Sequence, residues 1–300
     1  MFNESDELTR NIQEAALEVF KEFHTICVKN KLTYFAIGGT CIGAIRHKGY
    51  IPWDDDIDVA MPYDDYLKFL EIARLNLRDD YSVITPHNCR HYVSIFSKLQ
   101  NKNTTFIEEI GRDYKDRYSG IYIDIFPLFG LPKSNLKKKI IQRKRQVYNS
   151  LNLRMRFSFR DETNLKGKIL WVLMYPFRWI LPFDYFIKIQ IRMLEKYKFD
   201  ESDKIYFCWR RLENLKKPRK SYNAIFDYKD FSEMEFVQFE DTEIAIPKGY
   251  HGYLSKDFGD YMKLPPVEKR VSRHPKSLID LKTPYSYYLE NGVNAKGGQL

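Results

Sequence analysis

Gly38-Gly39-Thr40-Cys41-Ile42-Gly43-Ala44-Ile45-Arg46-His47-Lys48-Gly49-Tyr50-Ile51-Pro52-Trp53-Asp54-Asp55-Asp56-Ile57-Asp58 is the stretch on which the reading of this chain turns. The glycine pair follows residues 33–37, which read as a short buried strand. Paired glycines between a strand and a helix let the backbone approach a ligand closely. The free N–H groups and the helix dipole there favour an anion such as phosphate. Thr40 can cap a short helix running to about His47. Arg46, His47 and Lys48 add positive charge about two turns later. Taken alone, Gly-Gly-Thr is better explained as a tight turn before a surface helix.

The second half changes that balance. Asp54, Asp55, Asp56 and Asp58 place four carboxylates within five residues, and they repel one another unless something positive sits among them. On a strand, Asp56 and Asp58 point to one face while Ile57 and Val59 face the core. Two all-oxygen side chains on one face suit a hard cation such as magnesium. Further on, Ile121, Ile123 and Ile125 form one apolar face of a second strand, so Asp124 points the other way. An aspartate inside Gly-Ile-Tyr-Ile-Asp-Ile-Phe-Pro is costly to bury without a partner. A metal shared with Asp56 and Asp58 would supply one; a local hydrogen bond or an arginine would also do so.

Outward from this stretch, Ile12, Ala15, Ala16, Val19, Phe20, Phe23 and Ile26 carry the three-four spacing of an amphipathic helix. Residues 56–60, 92–99 and 120–126 read as strands, and Pro62 starts a helix bearing Tyr66, Phe69, Leu70 and Ala73. Residues 134–199 read as helical, broken at Pro176 and Pro182. Residues 236–246 alternate like a hairpin, and residues 250–254 suit a short helix. This order predicts an α/β (α+β) fold, a mixed sheet flanked by helices. Its parts are a catalytic core at 1–130, a basic helical insertion at 131–199, and a stretch at 200–300 that completes the core.

Length and charge fit that division. Three hundred residues suit one large domain, or one domain with a sizeable insertion. The net charge of +9 is uneven. Residues 1–130 hold 15 basic and 20 acidic side chains, whereas residues 131–199 hold 17 and 4. Two different jobs are implied. The four cysteines form no CxxC pair and read as reduced, mostly buried thiols. His87, Cys89 and His91 alternate, but that spacing alone is weak support for a metal site. The acidic N-terminus is not that of a signal peptide, and no apolar run reaches the roughly 18 residues of a membrane span.

Residues 38–58 closely resemble the signature of LicD-type proteins, a branch of the nucleotidyltransferase-fold superfamily. That pattern is Gly-Gly/Ser, a spacer, Asp-apolar-Asp/Glu, and a further acidic residue on a later strand. Here these are Gly38-Gly39, Asp56-Ile57-Asp58 and Asp124. The spacer is longer than in ordinary nucleotidyltransferases and is filled as LicD proteins fill it. The resemblance continues through residues 120–127 and 246–250, then Tyr253-Leu254, residues 258–262, 264–266, Arg270 and His274. The basic middle matches only loosely.

This resemblance implies a nucleotidyltransferase-like sheet. It also implies transfer of phosphocholine, or a related alcohol phosphate, from a cytidine diphosphate donor to a glycan of lipopolysaccharide, teichoic acid or capsule type, with release of CMP. Asp56 and Asp58 would hold Mg2+ or Mn2+, and Asp124 would join them or accept the hydroxyl proton. Gly38, Gly39 and Thr40 would cradle phosphate, with Arg46, Lys98 and Arg270 as further phosphate partners. Trp53 would either help to cage a quaternary ammonium or simply pack to fix the acidic turn.

Two other readings compete. A true nucleotidyltransferase would use the same carboxylates and release pyrophosphate. A nucleic-acid-binding role for 131–199 is disfavoured, because the aromatic and apolar residues at 170–187 are clustered rather than interleaved through a basic groove. Residues 170–181 instead predict docking on an anionic membrane surface, or burial in the core. The expected location is cytoplasmic, peripheral on the inner face of the cell membrane.

Overall fold

The structure is a computed structural model that describes residues 4–109, 112–208, 224–271 and 276–293. It opens with α1 (Glu4–Lys29), β1 (Phe35–Ala36), α2 (Gly38–His47), β2 (Asp58–Pro62) and α3 (Tyr63–Asn76). Then come β3 (Tyr81–Ile84), β4 (Ser97–Asn101), β5 (Thr105–Glu108) and β6 (Tyr122–Gly130). Four helices follow: α4 (Asn135–Arg156), α5 (Leu165–Met174), α6 (Phe177–Ile180) and α7 (Tyr185–Leu194). The remainder comprises β7 (Lys204–Phe207), β8 (Ile225–Asp227), β9 (Met234–Phe239), β10 (Thr242–Pro247), α8 (Tyr250–Phe258), β11 (Lys276–Asp280) and α9 (Tyr285–Asn291).

Among the described residues, seven strands make one mixed sheet. β1, β2, β6, β4 and β3 lie in that order; β7 also pairs with β6, and β8 lies beyond β7. β2 and β6 run parallel, and the other pairings are antiparallel. β4 pairs with the first part of β6 (Tyr122 to Ile125), and β7 pairs with the last part (Leu128 to Gly130). β6 is therefore the axis of the sheet. Its inward residues Ile123 and Ile125 are fully buried beside Val59 and Met61 of β2. The apolar stripe of α1, with Val19, Phe20 and Phe23, packs into the same core. The β9–β10 hairpin adds Phe239, Ile244 and Ile246 to it. Such alternation of apolar and polar residues is what puts the polar side of β2 and β6 on the opposite face.

The strand expected at 92–99 starts only at Ser97. The reason is Arg156, which is fully buried. Its guanidinium donates to the carbonyls of Pro86, Cys89, Arg90 and Tyr92. Of these carbonyls only that of Tyr92 lies in the expected strand, and it is satisfied by a side chain from α4 rather than by a ladder partner. His87 and His91 do not share a face here. His87 pairs with Asp184 and His91 with Asp116, each at 2.7 Å. Cys89 points its thiol to the carbonyl of Asp116. All four cysteines are free and buried.

The segment that follows β6 is helical, with breaks at Pro176 and Pro182. It has a small core of its own, in which Met155, Met174 and Phe186 are buried together. None of the described helices is long and apolar enough to cross a membrane.

A candidate active site on the polar face of β2 and β6

Asp58 and Asp124 are Cα partners across the parallel pair β2–β6. Directly opposed residues share a face, with neighbouring strands about 4.8 Å apart. The backbone seals the join, because Asp124 N–H donates to the carbonyl of Ile57 at 2.9 Å. Lys98 of β4 is the Cα partner of Asp124 on the other side. Lys98, Asp124 and Asp58 thus form one row across three strands. Asp56, just before β2, and both aspartates of the row are partly exposed, while Asp55 is buried.

The glycine pair lies against these carboxylates. Gly38 has φ +58°, in the left-handed region that favours glycine. A Cβ on Gly38 would stand 3.6 Å from Asp58 Oδ2. A Cβ on Gly39 would stand 2.2 Å from Asp54 Oδ2. Close approach is therefore required here, and what approaches is the chain's own acidic turn. Gly38 N–H donates to the Tyr253 hydroxyl at 2.8 Å. Thr40 does not cap α2, whose N-cap residue is Ile37. It is buried, and its hydroxyl accepts the Asp58 N–H at 2.8 Å. Gly38 and Thr40 thus spend one polar group each on joining α2 to α8 and β2.

The acidic turn is held from three directions. The buried Gln13 amide donates to the carbonyl of Asp54 at 2.7 Å. The Tyr50 hydroxyl donates to the carbonyl of Gln13 at 2.8 Å. Glu240, at the tip of the β9–β10 hairpin, accepts the Tyr50 N–H at 3.0 Å and an Arg10 N–H at 2.9 Å. A loop so tied positions its carboxylates on a rigid frame, as a preorganised site needs.

Lys98, expected to face phosphate, is 7% exposed, and its ammonium donates to Glu108 at 2.7 Å. It also lies 3.4 Å from the centre of the Tyr122 ring. Glu108 further accepts from Tyr122 and Arg117, at 2.7 and 3.1 Å. Burial raises the Glu108 carboxyl, but Lys98, Tyr122 and Arg117 outweigh it and hold the group at about 2. Burial, with Glu108, Asp124 and Asp56 nearby, pushes the Tyr122 phenol well up. Lys98 is thus part of a charge-matched brace beside Asp124.

Arg46 and Arg270 have a different setting. Arg46 donates to the carbonyl of Tyr261 at 2.6 Å, and Arg270 to that of Pro265 at 2.9 Å. Burial lowers the Arg46 pKa, and the nearby charge of Arg270 lowers it further. Burial and Arg46 likewise lower His47. The Arg270 guanidinium lies 5.5 Å from the Trp53 ring centre, which sets it beside the acidic turn. Two cations held close together suit a polyanion such as a diphosphate. Trp53 is half-buried against the main core, so it packs the turn and already stacks one cation. His274 lies outside the described residues.

Tyr253, part of the LicD resemblance, was given no role, and sequence reasoning missed Glu240, Gln13 and Glu108. Their signals are long-range contacts and no local pattern marks them. Asp54 was visible only as one acid among four. A cavity of about 330 Å³ lies at the other end of the strands, lined by Pro62, Tyr63 and Phe129 among others. None of the site carboxylates lines it. A small recess lined by Asp55, Asp56 and Tyr122 lies at the site.

As a cation site, the row offers the hard oxygen donors that magnesium or manganese takes. Asp58 and Asp124 are in register, and Asp56 is two residues before Asp58. Among the described residues, no three or more His, Cys, Asp or Glu side chains already stand as a ready-made metal cluster. The donor chemistry of the pair fits one divalent ion.

Known proteins match the same residues. A profile described as LicD/FKTN/FKRP, nucleotidyltransferase domain, matches residues 31–153. The lipopolysaccharide cholinephosphotransferase LicD of Haemophilus influenzae is 32% identical over 269 residues, which is 88% of this chain and 95% of that protein. The chain belongs to the LicD family. Uncharacterised proteins of Rickettsia typhi and Rickettsia prowazekii are 38% and 36% identical over 55 residues, 18% of this chain and 18% and 21% of theirs. The LicD profile takes in the glycine pair, the acidic turn, Lys98 and Asp124; Arg270 lies beyond it.

Proposed function

We propose that this LicD protein transfers phosphocholine from a cytidine diphosphate donor to a glycan of the lipopolysaccharide type and releases CMP. The observation that carries the reading is the Asp58–Asp124 register on β2 and β6, in a chain so similar to a lipopolysaccharide cholinephosphotransferase. An acceptor hydroxyl attacks the choline-bearing phosphorus. A new P–O bond forms, the bond to the CMP oxygen breaks, and CMP keeps the electron pair. Asp124, half-buried in the middle of the sheet, would take the hydroxyl proton or join the ion ligands. Arg46 and Arg270 counter the charge of the diphosphate and of the departing CMP. Glu108, Lys98 and Tyr122 hold that side of the site in place. Magnesium or manganese, held by Asp56, Asp58 and Asp124, would supply further charge neutralisation at the diphosphate.

The experiment that tests this reading separates it from nucleotide transfer by product. Incubation with CDP-choline and lipopolysaccharide should release CMP. Incubation with CTP should release no pyrophosphate. Pyrophosphate from the second reaction, with no CMP from the first, would overturn it.

A further inference from the structure

α5 and α6 leave an apolar surface that none of the described residues covers. At 100° per residue, Leu165, Ile169, Val172 and Leu173 fall within one arc of α5 about 100° wide, and all four are exposed. Gly167 and Met174, on the opposite side, are buried. On α6, Trp179 is 81% exposed and Ile180 75%. These residues are therefore not core. Their outward direction is fixed. The Trp171 indole donates to the carbonyl of Phe157 at 3.0 Å. Arg178 donates to the same carbonyl at 2.7 Å and lies over the Trp171 ring. With Trp171 and Arg178 turned inward, Trp179 and Ile180 must face out.

We infer that this face docks on an anionic lipid surface. Charge selects that occupant. Lys166 and Lys168 border the apolar arc on its two sides, and Arg160 nearby is exposed. On α4, Lys137, Lys139, Arg143 and Lys144 are exposed as well. The whole segment 131–199 carries 17 basic side chains against 4 acidic ones. A second copy of this chain would meet that same excess of positive charge, so self-association through this face is opposed. An anionic leaflet is attracted to it. Shape agrees: a 10-residue α5 is about 15 Å long, half of a hydrocarbon core, and lies in an interface rather than crossing it. Exposed Trp179 and Tyr175 are the side chains that headgroup regions favour. The face would hold the protein at a membrane where lipid-linked acceptors reside.

The test is co-sedimentation of the full chain with vesicles of phosphatidylglycerol and phosphatidylcholine, beside vesicles of phosphatidylcholine alone. Wild type should bind the anionic vesicles, more weakly as salt rises. The variant Leu173→Ser/Trp179→Ser/Ile180→Ser should bind at least about tenfold less, and Lys166→Glu/Lys168→Glu should lose a similar amount. All five positions lie outside the proposed active site, so CMP release from CDP-choline with a lipid-free glycan acceptor and no vesicles should be unchanged. Tryptophan emission should shift to the blue on binding, and Trp179→Phe should remove most of that shift. Three results would each overturn the inference: no binding at low salt, equal binding to neutral vesicles, or a concentration-dependent dimer that the triple substitution abolishes.

Discussion

Asp58 and Asp124 oppose each other across the parallel strands β2 and β6, with the Asp124 N–H tied to the residue just before Asp58. Their Cα positions are fixed by the pairing of β2 with the central strand β6. Asp58→Asn and Asp124→Asn should each lower turnover by about 10²-fold or more, because each removes charge from a preorganised electrostatic site. Circular dichroism and melting temperature should stay close to wild type. Near-normal turnover by either variant would remove that residue from the chemistry.

Chelation should act through the same residues. Dialysis against EDTA should abolish turnover, and adding magnesium or manganese should restore it. Titration calorimetry should show divalent-ion binding by wild type and at least tenfold weaker binding by Asp58→Asn. Full turnover after chelation would contradict the assignment of Asp56, Asp58 and Asp124 as ion ligands.

Gly39 tests the close approach of the acidic turn. A methyl group there meets the far end of the Asp54 side chain, which can swing away. Gly39→Ala should therefore cost little stability but lower kcat/KM about tenfold by displacing that carboxylate. Asp54→Ala removes the obstacle, so the double variant should be no slower than Asp54→Ala alone. Additive losses would mean that Gly39 contacts the donor directly.

Glu108 should give an acid-dependent stability effect. Its carboxyl lies at about 2 in the folded protein, below the ordinary glutamate value of about 4.5. The unfolded state therefore binds the proton more readily, and the stabilisation is fully present above about pH 5. It is lost as pH falls from about 4.5 through 2. With about a third of the side chain still in water, the contribution is on the order of 2 kcal/mol. Glu108→Gln should lower stability by that order at pH 7, and the gap from wild type should close on acidification. A gap independent of pH down to about 2.5 would show that the Glu108 charge is not what braces Lys98.

The pair Arg46 and Arg270 should report on the donor. Arg46→Gln and Arg270→Gln should each raise the KM for the donor by about tenfold, the usual cost of one lost hydrogen bond to an anion. Melting temperature should not fall much, since either change relieves repulsion between the two. Unchanged KM in both would place the diphosphate elsewhere.

The legibility of this site followed its locality. Asp58 and Asp124 could be set on one face because alternation on a strand fixes the face of each residue from its neighbours alone; Asp56, expected on the same strand, lies just before β2. The same logic located α1, the β9–β10 hairpin and the proline breaks of the basic segment. Thr40 was misjudged as a helix cap because its partner, the Asp58 N–H, lies 18 residues away. Lys98 looked available to phosphate because Glu108 sits on β5, which pairs with β11 rather than with the central sheet. The early strand start at residue 92 failed for the same kind of reason, as Arg156 takes the Tyr92 carbonyl from 64 residues away. Exposure of α5 and α6 could not be read either, since an apolar run has the same sequence whether it faces a core or a bilayer.

The central claim is most directly tested by the acceptor. Purified lipopolysaccharide should be incubated with CDP-choline, magnesium and wild-type protein, then analysed by mass spectrometry beside an Asp58→Asn control. The account predicts the added mass of one phosphocholine per modified glycan, matched by an equal amount of CMP and absent from the control. CMP release without any change in the glycan, or transfer that survives in Asp58→Asn, would contradict it.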